Sequence, residues 1–136
     1  MPKSRPVSSS VDLGKKGENL AVFSLESGGM EIIARNFRSK YGEIDIIALE
    51  GETIVFIEVK SWSVYGMEDL QYSVDIKKQS KIIKTAKYFL STNRKYSNMA
   101  VRFDIVFVRD TAPAANHPEG AGSSITRLAS AFTECV

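Results

Sequence analysis

Three residues on two neighbouring apolar stretches could do chemistry together. Asp45 lies in Glu-Ile-Asp-Ile-Ile-Ala-Leu (43–49), and Glu58 and Lys60 lie in Thr-Ile-Val-Phe-Ile-Glu-Val-Lys (53–60). Side chains alternate along a strand, so Glu58 and Lys60 share one face and Ile57 and Val59 the other. If the stretches pair through Glu50-Gly51-Glu52, Asp45 approaches Glu58 across the sheet. Two carboxylates held together repel, and a divalent cation removes the repulsion. Hard oxygen donors suit Mg²⁺ or Mn²⁺, with the main-chain carbonyl of Val59 as a further donor. Such an ion stabilises charge on a phosphate and acidifies a bound water. Lys60 beside it could orient that water, neutralise developing charge, or act as a base if its pKa falls far below about 10.4. For an isolated Glu-x-Lys on a strand, an exposed ion pair is the commoner arrangement. The apolar residues around all three, and the short span joining them, favour an interior position.

The elements that must position these groups follow from periodicity. Residues 1–11 are Ser- and Pro-rich and read as a mobile tail preceding a single domain over 12–136. Asp12 can cap a helix carrying Leu13, Leu20, Ala21, Phe23 and Leu25, which Gly28-Gly29 stops. Strands are expected at Met30–Phe37, Glu43–Leu49 and Thr53–Lys60, the last rich in β-branched residues. A loop over 61–73 precedes a helix from Asp75 to Leu90, with Ile76, Ile83, Ala86 and Leu90 as its inner stripe, joined by Ile82 and Phe89. Ala100–Val108 is a fourth strand, and 110–124 a long mobile Pro/Gly/Ala/Ser loop. Ile125–Phe132 returns as a short strand or a helical turn. The order α-β-β-β-α-β predicts an α/β layered domain, a mixed sheet flanked by helices.

Charge is unevenly distributed although the net charge is only +2. No acid interrupts Lys77 to Lys95, and Lys77, Lys81 and Lys84 recur at helical spacing on one flank. That flank is either a solvated helix face or a track for a polyanion backbone. No apolar run reaches the roughly 18–20 residues of a membrane span, no secretory h-region is visible, and Cys135 is the lone cysteine, so a cytoplasmic protein is expected. His117 is the one histidine and falls in the predicted loop, which argues against a His triad or zinc cage. Neither a Walker A spacing nor a Gly-x-Gly-x-x-Gly fingerprint is present.

Gly42-Glu43-Ile44-Asp45-Ile46-Ile47 and Phe56-Ile57-Glu58-Val59-Lys60 resemble the motif pair of the PD-(D/E)xK nuclease superfamily. More narrowly, the chain resembles the YraN-like family of uncharacterised predicted endonucleases, with a fold like that of Holliday-junction resolvases and restriction endonucleases. The likeness spans about 12–108 and resumes at Ile125–Phe132. It includes Gly14-Lys15-Lys16-Gly17-Glu18-Asn19-Leu20-Ala21, Lys78-Gln79 and Arg102-Phe103-Asp104. It implies a restriction-endonuclease-like three-layer domain and Mg²⁺- or Mn²⁺-dependent cleavage of nucleic acid, DNA before RNA. It further implies that Glu18 enters the site as an extra acidic ligand or water-orienting group, and that Gln79 contacts phosphate or a metal-bound water. Away from the resemblance, Glu18 is an ordinary acid near a helix N-terminus, and Gln79, four residues before Ile83, an inward amide needing a partner. The expected catalytic set is therefore Glu18, Asp45, Glu58, Lys60 and Gln79, with Glu18, Asp45 and Glu58 on the metal and Lys77, Lys81 and Lys84 on nucleic acid. Asp104 is expected either to support the site from behind its ligands or to pair with Arg102 or a neighbouring Lys, with no catalytic role. Ser61-Trp62 stands where the family usually has Thr-Arg, which replaces a guanidinium by an indole that either fills the core or stacks on a base. Two alternatives share the basic flank without needing metal: a silent nucleic-acid-binding module with the same fold, and a structural subunit of an assembly. A homodimer is compatible with double-strand cutting.

Overall fold

A computed structural model describes residues 10–63, 76–110 and 123–132 of the chain. In chain order these form α1 (Ser10–Ser27), β1 (Glu31–Ser39), β2 (Gly42–Glu50), β3 (Thr53–Ser63), α2 (Ile76–Thr92), a short 3-10 turn at Arg94–Tyr96, β4 (Ala100–Asp110) and β5 (Ser123–Phe132). The five strands lie in the order β1-β2-β3-β4-β5, antiparallel except for the parallel pair β3–β4. The parallel pair requires a crossover, and α2 lies in that connection.

Alternation along β3 explains the layering. Ile54 and Phe56 pack with Ile82, Ala86 and Phe89 of α2. Val55 and Ile57 pack with Ala21 and Leu25 of α1. All four β3 residues are essentially inaccessible because both faces are covered, which is why this strand reads as an unbroken apolar run. The result is a three-layer α/β arrangement with α1 on one face and α2 on the other. The β2–β3 connection is the expected hairpin, one residue tighter than the Glu50-Gly51-Glu52 turn: Glu50 pairs with Thr53, and Gly51 takes φ +61°, open to glycine at little cost.

Of the two alternatives for Ile125–Phe132 the strand holds, as part of the edge strand β5. Other expectations are revised. β3 runs on through Ser63, so residues 61–63 are strand and not loop. α1 starts at Ser10, which places Asp12 inside the helix instead of at its cap. Phe23 is 71% exposed and Ile76 83% exposed, so neither belongs to an inner stripe. On α2 the buried set is Ile82, Thr85, Ala86 and Phe89, rotated slightly from the predicted stripe, with Ile83 and Leu90 at its margin. The predicted loop over 110–124 lies mostly outside the described residues, as does most of the predicted tail.

Candidate functional site

The site forms where β2 and β3 part company. Their ladder runs from Glu50↔Thr53 to Ile46↔Ile57. One step further, Asp45 and Glu58 would pair. Instead the Asp45 side chain intervenes, and its Oδ2 accepts the Val59 N–H at 2.8 Å. The alternation of β2 slips at the same point, since Ile44 packs on the α2 side while Ile46 packs on the α1 side. Asn36 lies opposite Asp45 on β1, between the pairs Arg35↔Ile46 and Phe37↔Ile44, and takes φ +53°. A left-handed residue within a strand is a local strain that Asn tolerates better than most.

Glu58 lies on the α2 side of β3 and is only 6% exposed, which excludes an open surface ion pair. Ile105 and Phe107 flank Glu58 and Lys60 on the parallel β4. Lys60 Nζ stands 3.8 Å from Glu58 Oε2. Lys78, from the first turn of α2, makes a close ion pair with the same oxygen. A cation in the first turn of a helix opposes the macrodipole, and Glu58 offsets that cost.

Electrostatics follow from this crowding. Burial, followed by a proton shared with Glu58 and by Glu58's charge, pushes the Asp45 carboxyl up from 3.8 to about 8, against the lowering effect of the Val59 N–H. Burial, then the neighbouring Lys78 ammonium, lowers the Lys60 pKa despite the opposing pull of Glu58 and Asp45. For Lys78, burial alone would favour the neutral form. Contacts with Glu58 and Lys60, and the charge of Asp45, outweigh it and raise the pKa.

Of the predicted residues, the structure brings Asp45, Glu58 and Lys60 together. It does not bring Glu18 into the same donor set. Glu18 Oε1 is held by Arg35 at 2.8 Å and by Asn36 Nδ2 at 3.0 Å, although its charge still reaches Asp45. Among the described residues, no group of three or more His, Cys, Asp or Glu is arranged to hold a metal ion. Glu18 is thus engaged by Arg35 and Asn36 of β1, while Asp45 and Glu58 stand together without it. Gln79 is half-buried on α2, next to Lys78, while Lys77, Lys81 and Lys84 are exposed on one flank as expected. Trp62 has no described side chain. Asp104 is fully buried and takes no part in the site: it pairs with Arg102 at 2.9 Å and accepts the Ser130 N–H at 2.9 Å.

Sequence reasoning missed Lys78 as a member of the site. It was hidden in a lysine-rich run, and only its place beside Gln79 at the start of a helix could have singled it out. Arg35 and Asn36 were missed as well. Two adjacent polar residues inside an apolar strand break the two-residue alternation, and that was the available signal.

What the arrangement fits can be judged from its donors. Two adjacent carboxyls, one retaining a proton at neutral pH and the other neutralised by an ammonium, are oxygen donors that a cation can engage by displacing the proton and the ammonium. That chemistry suits a hard divalent cation. The ends of both long basic side chains remain nearby to meet an anion.

The family model described as "Uncharacterised protein family UPF0102" matches residues 17–108. A UPF0102 protein of Treponema denticola is 41% identical over 130 residues, covering 90% of this chain and 96% of the relative. A UPF0102 protein of Persephonella marina is 47% identical over 95 residues, covering 70% and 81% respectively.

Proposed function

The chain belongs to the uncharacterised protein family UPF0102, and we propose that it is a metal-dependent nuclease hydrolysing phosphodiester bonds in nucleic acid, in a PD-(D/E)xK-type site. The observation that carries this reading is the juxtaposition of Asp45, Glu58 and Lys60 where β2 and β3 separate, with the Asp45 carboxyl raised to about 8 by burial and by Glu58. A carboxylate pair that costs the fold stability is best understood as a site kept for a ligand.

Asp45 and Glu58 would hold Mg²⁺ or Mn²⁺, with the Val59 carbonyl as an additional donor. When bound, the ion supplies Lewis acidity toward phosphate and a lowered pKa for a coordinated water. Lys60, with its pKa lowered by burial and by Lys78 and its ammonium 3.8 Å from Glu58, would stand beside the ion and could hold or take a proton there. Lys78 neutralises Glu58 in the metal-free protein. With an ion held by Glu58, Lys78 could turn to a phosphate oxygen. The Val59 N–H fixes the Asp45 carboxyl, so its orientation is set before any ligand arrives. The exposed flank of Lys77, Lys81 and Lys84 continues from the site along α2 and suits a phosphate backbone.

Calorimetry with Mn²⁺ separates this reading from a metal-independent binding module. Saturable binding lost in Asp45→Ala supports the enzyme. Absence of binding to the wild-type protein at pH 8 refutes it.

A further inference from the structure

The nuclease reading leaves one surface unexplained. On α2, Lys77, Lys81, Lys84 and Tyr88 recur at intervals of four, three and four residues, so they form a single stripe. Tyr88 is 45% exposed. Its ring leans on Phe37 of β1 at 6.2 Å between centroids. Phe37 in turn meets Phe89 edge-on at 5.1 Å. One side of the Tyr88 ring is therefore backed by the core and the remainder is open.

The β1–β2 turn is fastened to the same stretch of helix. Ser39 Oγ and Thr85 Oγ1 are 3.1 Å apart. The Tyr41 N–H donates to Ser39 Oγ at 3.0 Å. Gly42 lies so close to α2 that a Cβ there would meet the Cβ of Lys81 at 3.3 Å. This corner presents Tyr41, 40% exposed, with the Lys40 ammonium 5.3 Å from its ring centre. Two open tyrosines thus flank Thr85, interleaved with lysines, on the surface that leads away from Lys78 and the carboxylates. From Lys78 to Tyr88 the helix rises about 15 Å.

We propose that this stripe binds a single-stranded nucleic acid, with unpaired bases stacking on Tyr88 and Tyr41 and the backbone following Lys77, Lys81 and Lys84. Lysines alone would serve any polyanion, duplex included. Open aromatic faces add nothing to a duplex, whose base faces are already stacked, and they add stacking for unpaired bases. The rings need little ordering on binding, since Phe37 and the Ser39–Thr85 corner already hold their supports in place. The inference deepens the nuclease reading by naming its substrate class. It is tested without metal, so its outcome is independent of cleavage.

The test is fluorescence anisotropy in EDTA with the full chain and labelled dT and rU oligonucleotides, beside a duplex of equal length. Wild-type protein is expected to bind the single strands more tightly than the duplex, and the dT and rU arms show which sugar is preferred. Tyr88→Ala is expected to weaken single-strand binding at least about fivefold, with duplex binding unchanged. Tyr88→Phe, which keeps the ring, is expected to retain it. Lys81→Ala is expected to weaken both ligands and reduce the salt dependence. Equal loss for both ligands in Tyr88→Ala, or duplex preferred by the wild type, would overturn the proposal. Circular dichroism of each variant shows whether it is folded. If Tyr88→Ala is unfolded, Tyr41→Ala, in an exposed turn, carries the same prediction.

Discussion

Replacing Asp45 by asparagine is expected to stabilise the metal-free protein while removing its capacity for metal. Burial and the adjacent Glu58 hold the Asp45 carboxyl at about 8, against 3.8 in an unconstrained chain. An acid whose pKa is raised by folding stabilises the fold fully below its unfolded pKa, and this contribution is lost as pH climbs through the folded value. At pH 7 the unfolded chain has released the proton and the folded chain still holds it. Roughly three pH units of this difference, at 1.36 kcal/mol each, give a cost of about 4 kcal/mol. Relaxation and water entry around a half-buried carboxyl reduce this to about 2–4 kcal/mol. An asparagine has no proton to lose. Its oxygen can still accept from the Val59 N–H, which Asp45 Oδ2 now receives at 2.8 Å, and its amide can donate toward Glu58. Urea denaturation in EDTA at pH 5 and pH 8 measures the effect. The gain in Asp45→Asn is expected to be small at pH 5 and larger by roughly 2 kcal/mol at pH 8. A variant less stable than wild type at pH 8, or a gain independent of pH, would refute the reasoning.

Four further outcomes are expected. Lys78→Met should bind Mn²⁺ several-fold more tightly in calorimetry, because no ammonium has to leave Glu58, and the wild-type affinity should rise with pH toward about 8 as the Asp45 proton is released; weaker binding in the variant would instead make Lys78 part of the metal-competent arrangement. Asp104→Ala should lower stability by about 1–3 kcal/mol in thermal unfolding, since it removes the fully buried carboxylate that pairs with Arg102 and accepts the Ser130 N–H, while Arg102 keeps its pair with Glu50. Gly17→Ala should cost about 1–3 kcal/mol, because its Cβ would lie 1.9 Å from Ser61 Oγ where α1 crosses β3. Ser61→Ala should be neutral or slightly stabilising, as that buried hydroxyl has no hydrogen-bond partner among the described residues, and unfolding of the double variant should recover part of the Gly17→Ala loss.

Strand alternation and the Gly51 turn carried most of the fold. Thr53–Lys60 could be placed because its β-branched residues favour a strand. Asp45 and Glu58 could be brought together because a tight turn over Glu50-Gly51-Glu52 keeps the two strands side by side. Other features depend on tertiary partners. β5 stayed open between a strand and a helical turn because an edge strand with most of its residues exposed shows no regular apolar alternation, and it needs the bulge at Ser130 to reach Asp104. The partners of Glu18 were not legible because a helical acid says nothing of Arg35 and Asn36, which reach it only through an irregular strand. Lys78 was lost among similar lysines, since which of them meets a buried acid depends on where α2 begins over β3. The exposure of Phe23 and Ile76 shows the same limit: apolar identity suggests an inner stripe, but helix placement decides it.

The central claim is tested most directly by incubating purified protein with labelled single-stranded, duplex and branched DNA in Mn²⁺, beside Asp45→Ala and Lys60→Ala shown to be folded. The account predicts phosphodiester cleavage by the wild-type protein that EDTA abolishes and that both variants lack. Cleavage that persists in both variants, or none by wild-type protein under conditions where calorimetry shows Mn²⁺ bound, would contradict it.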